Sequence, residues 1–133
     1  MEDTRFQEAV ELFNSEEFFA CHDVLEELWS EAVPAERDFL QGLIHAAVAL
    51  FHFSEGNLGG ARKMYSSTLR YLAGAGAVCR EIDLERFRQD FQVCFQELLN
   101  HQSGYPEGIQ LDPALLPRWH RAADAEPGQL SEV

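Results

Sequence analysis

The sequence predicts an all-α fold: a single-domain antiparallel bundle of about five helices with an irregular C-terminal segment. Three observations carry this. Apolar residues recur at three- and four-residue spacing in five separate runs, the period of a helix with one buried face. The breaks between runs are short and made of Asn, Gly, Pro and Asp. No run alternates apolar and polar residues as a half-buried strand would. At 133 residues, 46% hydrophobic with ten Phe, the chain suits one domain with a real core.

The first helix spans Thr4 to Phe13, with Phe6, Val10 and Phe13 on one side. Asn14, with Glu17 three residues on, reads as an N-cap and capping-box partner for the second helix. That helix runs to about Ala32 on a stripe of Phe18, Cys21, Leu25, Leu28, Trp29 and Ala32. Asp23, Glu27, Ser30 and Glu31 form its wet face, and Pro34 ends it or opens the next turn. From about Ala35 to Ser54 the third helix is apolar on most faces, which makes it the central one. One polar lane remains on it: Asp38, Gln41, His45 and His52, in line at helical offsets. Gly42 beside the lane allows another backbone to come close.

Ser54 to Asn57 is a turn with Gly56 as a left-handed cap. The fourth helix runs from Leu58 to Leu72. Gly74-Ala75-Gly76 breaks the pattern, and Asp83 caps a fifth helix bearing Leu84, Phe87, Phe91, Cys94, Phe95 and Leu98. The bundle therefore occupies residues 1–100. Residues 101–133 are rich in Gly and Pro, with Leu111, Leu115, Leu116 and Trp119 able to pin the segment across the bundle. Beyond about Ala122 the composition is that of a disordered acidic tail.

Ten Lys and Arg against 23 Asp and Glu leave a formal charge of −13. Such a balance argues against nucleic-acid backbones and anionic membrane surfaces as partners. Nothing reaches the eighteen unbroken apolar residues of a membrane span, and Met1 to Arg5 is unlike a signal peptide, so a cytoplasmic location is expected. Cys21, Cys79 and Cys94 are odd in number and widely spaced, as small buried thiols are.

The most informative feature is His22 with Glu26 four residues on, at the edge of the stripe formed by Phe18, Leu25 and Trp29. With the second and third helices antiparallel, His22 and Glu26 are expected to face Gln41, His45 and His52, with Arg37 near one end. The motifs Phe13-Asn14, Phe18-Phe19-x-x-His22-Asp23-x-Leu25-Glu26-x-x-Trp29, Arg37-x-x-Leu40-Gln41-Gly42-Leu43-Ile44, His52 and Gly56-Asn57-x-x-Gly60-Ala61 resemble a bacterial and archaeal family, the domain of unknown function numbered 309. The resemblance covers about residues 6–72. It implies a small all-helical bundle and a candidate site, without a reaction. Two departures show: Asp23 stands where the family usually has Glu, and His45 where Gln is expected.

Four readings of the polar residues compete. The blandest is a satisfied core network in which Glu26 orients His22 or pairs with Arg37. A zinc or iron site would use His22, Glu26 and His52, with His45 as a fourth ligand, although HxxxE is a weak motif. An enzyme would use His22 as general base oriented by Glu26. The reading preferred on sequence is a non-enzymatic module for a small molecule or protein, its pocket built from His22, Glu26, Trp29, Arg37, Gln41, His45, His52 and Asn57, with no cofactor. The alternative is a metal-assisted hydrolase using His22, Glu26 and His52. A homodimer through the final helix is suggested by Phe87, Phe91 and Phe95, which exceed what one seam needs.

Overall fold

A computed structural model describes residues 3–101 and 107–122. Five helices follow in order: α1 Arg5–Asn14, α2 Phe18–Glu31, α3 Pro34–Ser54, α4 Leu58–Leu72 and α5 Leu84–Asn100. Between α4 and α5 lies a small hairpin, β1 Val78–Cys79 and β2 Ile82–Asp83, and a 3-10 turn covers Pro113–Leu115. The acidic tail expected after Ala122 lies outside the described residues.

Local chemistry accounts for most boundaries. Pro34 opens α3, where its missing N–H is no loss. Gly56 takes a left-handed φ of 81° after α3, and Asn57 then caps α4, its Oδ1 accepting from Gly60 N at 3.1 Å. Asp83 caps α5 in the same way through Arg86 N at 3.0 Å.

One expected cap is corrected. Asn14 is the last residue of α1, and α2 starts on Glu17 without a side-chain cap. The Asn14 amide reaches the C-terminal segment instead. Its Nδ2 donates to Trp119 O at 3.0 Å, and its Oδ1 accepts from Trp119 N at 2.8 Å. This pair of bonds clamps Trp119, 1% exposed, flat against Phe13 with ring centroids 3.7 Å apart. Of the expected pins, Trp119 is buried, Leu111 and Leu116 are partly covered and Leu115 stays exposed.

The hairpin is the second correction, because no strand was expected. Two-residue strands are too short to show alternation. Arg80 and Glu81 turn between them at φ 49° and 66°, the handedness a tight hairpin needs. Ile82 also bridges to Arg121, which draws the C-terminal segment onto the hairpin.

The buried face of α3 packs against both α2 and α4 and forms the middle of the core. Gly42 does permit a close approach, but by a side chain: a Cβ there would meet Leu72 Cδ2 at 2.5 Å. The Phe residues of α5 point inward. Phe87 meets Phe13, Phe91 stacks on Tyr65 and Phe95 packs on Phe53, and all three are fully buried. The aromatic surplus that suggested a homodimer is thus taken up within one chain. No described helix is long and apolar enough to cross a membrane.

Candidate functional site

On α2 the His22 ring is flanked by two carboxylates. Nε2 lies 3.3 Å from Glu26 Oε2 and Nδ1 lies 3.3 Å from Asp23 Oδ1. Nδ1 is nonetheless buried without a hydrogen-bond partner, so the approach of Asp23 is an ion-pair distance lacking hydrogen-bond alignment. Both carboxylate side chains are more than half exposed, against 23% for the ring. The expected buried network is therefore corrected to a surface pair over a partly covered ring. Such pairs contribute about 0–1 kcal/mol.

Opposite His22, near the end of α3, the helices leave a cleft of about 170 Å³ lined by Phe18, Phe19, His22, Val48, Phe51 and His52. Antiparallel packing places the start of α2 beside the end of α3. Phe19 stands at this cleft with its ring 5.6 Å from His22 and 5.7 Å from Phe51, yet 58% exposed. Asn57 Nδ2 donates to His52 Nδ1 at 3.2 Å, so a neutral His52 ring carries its proton on Nε2. The cleft thus combines aromatic walls with two imidazoles.

The other expected pocket residues lie elsewhere. Gln41 Nε2 donates to His45 Nε2 at 2.8 Å, on the side of α3 that faces α4, where Tyr71 meets His45 edge-on at 5.1 Å. Burial lowers the pKa of His45, and Arg70 lowers it further. Arg37 stacks over Trp29 at 4.8 Å. That pair stands two turns along α2 from His22, about 10 Å away at the rise of a helix. Asn57 serves as the cap of α4. The eight predicted residues divide into the His22–Glu26 and His52–Asn57 groups near the cleft, the Gln41–His45 pair toward α4, and the Trp29–Arg37 pair at the α2–α3 turn.

Among the described residues, no three His, Cys, Asp or Glu side chains come together as a metal-binding group. His22, Glu26 and His52 are therefore not assembled into the three-ligand set that the alternative zinc or iron reading would use. Burial pushes the Cys21 thiol up to about 12, which keeps it protonated and a poor nucleophile. A second cleft of about 320 Å³ lies between α1 and the hairpin. Its arginines are already paired, Arg80 with Glu36 and Arg121 with Glu81, each at 2.8 Å.

Phe19, Val48 and Phe51 were missed as site residues. A signal existed for Phe19: it lies one position off the buried stripe, on a face otherwise occupied by Asp23 and Glu26.

Known sequences share this part of the chain. Residues 6–64 match DUF309, a domain of unknown function. The family resemblance read from the sequence is thereby borne out over that segment. The matched segment runs from the second residue of α1 through α2 and α3 into the first half of α4, and so includes every residue lining the α2–α3 cleft. YpuF, an uncharacterised protein of Bacillus subtilis strain 168, is 32% identical over 80 residues, 59% of this chain. The match covers 46% of that protein, so this chain spans less than half the length of the curated relative. Trp119 falls outside the matched segment, whereas Asn14 and Phe13, which hold it, lie inside.

Proposed function

We propose that this chain is a binding module, and that it engages its partner through the cleft between α2 and α3. The observation that carries the reading is Phe19. Among the described residues it is the one exposed large aromatic, and it borders a concave, mostly apolar surface. Burying such a ring in a partner contributes roughly 1.5–3 kcal/mol, which a free surface forgoes. Size narrows the use of the cleft. Pockets that enclose whole small molecules run to about 300–1,000 Å³. At about 170 Å³ this one suits a single bulky side chain.

The test is to fill the cleft from its floor. Val48→Trp places an indole where a partner's side chain would go. Indole and isobutylbenzene, titrated into labelled protein, are expected to shift the amides of residues 18–22 and 48–52, with these shifts lost in Val48→Trp. Shifts scattered over the surface, or unchanged by the substitution, would overturn the reading.

A further inference from the structure

We infer that the partner docking in the α2–α3 cleft is a polypeptide segment whose one bulky apolar side chain is flanked by Lys or Arg. This rests on the binding reading above and names the chemistry of the partner. The cleft accommodates one side chain, so specificity has to come from its surroundings, and those are acidic.

α2 carries Asp23, Glu26, Glu27 and Glu31 and no Lys or Arg at all. No cation occurs on α3 after Arg37, and the next in the chain is Arg62. Glu16 and Glu17 precede Phe18, and Glu55 follows His52 by three residues; all three are exposed. The cations nearest in sequence are committed at the far end of α2. Arg5 binds Asp3, Glu27 and Glu31, and Arg37 lies over Trp29. Asp23 and Glu26, by contrast, lie beside His22 and, among the described residues, form no ion pair with Lys or Arg. An apolar cleft whose His22 is flanked by two half-exposed carboxylates, with Glu16, Glu17 and Glu55 close to its lining in sequence, attracts a cationic segment and repels an anionic one.

The same charges argue against a second copy of this chain. A two-fold contact sets a patch against itself, which would bring these carboxylates together without counter-charge.

A random dodecapeptide library displayed on phage, selected on the full chain, tests the inference. Phe19→Asp and the double variant Asp23→Lys, Glu26→Lys are carried in parallel. All these positions are exposed, so circular dichroism is expected to show unchanged folding. Enriched peptides are expected to share one large apolar residue with at least two Lys or Arg beside it, and to lose binding to Phe19→Asp. The charge-reversed variant, or high salt, is expected to weaken them about tenfold. Peptides that depend on Phe19 but carry no basic residues would overturn this inference and leave the cleft reading standing. Enriched peptides indifferent to Phe19→Asp would overturn both.

Discussion

His22→Ala is expected to cost about 1 kcal/mol or less, read as a small shift in the urea midpoint. The reason is exposure. Glu26 and Asp23 remain solvated when the ring is removed, so neither is orphaned in the way a buried partner would be. A loss of 3 kcal/mol would mean that the ring supports the core. The spacing of His22 and Glu26 in the sequence did locate neighbours, because four residues along a helix is a local relation. Exposure was not legible there. It depends on how α2 rolls against α3, and Phe19 illustrates the difficulty: a Phe beside a buried Phe reads as core until the roll is known. Gln41 and His45 were likewise assigned to the correct helix and the wrong neighbour. A lane on α3 can face α2 or α4, and the spacing is identical in both cases.

At the scale of elements, the helices were legible almost to the residue. Pro34, Gly56, Asn57 and Asp83 act through their own local chemistry. Asn14 was not legible, because its partner is the backbone of Trp119, 105 residues away. Asn14→Ala is therefore expected to act on the C-terminal segment rather than on the start of α2. It removes two hydrogen bonds and leaves the Trp119 N–H and carbonyl short of partners, a cost of about 1–3 kcal/mol. Trp119 sits against Phe13, so its emission is expected to shift toward that of a wet indole at lower urea than the helical signal of the bundle is lost. Coincident loss of both signals at an unchanged midpoint would show that the clamp contributes nothing. The hairpin was equally hidden. Its strands are two residues each, and its place in the fold depends on the long-range pairing of Ile82 with Arg121.

For the whole molecule, two partly buried imidazoles make stability depend on pH in a narrow window. The pKa of His45 is lowered by burial and by Arg70, and that of His120 by burial and by Arg86. Protonating His45 would also set an N–H against the Gln41 amide that now donates to Nε2. Both groups bind protons more readily in the unfolded chain, where the value is near 6.5. Stability is therefore complete above that value and falls as pH drops through it, levelling once the lowered native values are passed. Asp3 and Glu31, held below the usual carboxylate range by Arg5, act with the same sign but at lower pH, since their ordinary values are 3.8 and 4.5. A decline between about pH 7.5 and pH 5.5 thus belongs to the histidines. His45→Gln keeps an amide-sized polar group beside Gln41 and cannot titrate. It is expected to reduce the drop in urea midpoint across that interval, and adding His120→Gln to reduce it further. An unchanged drop in the double variant would overturn the assignment to His45 and His120. The acidic surface makes the comparison cleaner. Partial neutralisation of a chain at −13 relieves self-repulsion as pH falls, which opposes the histidine effect, so a decline that survives it is a lower bound on what the two partly buried rings contribute.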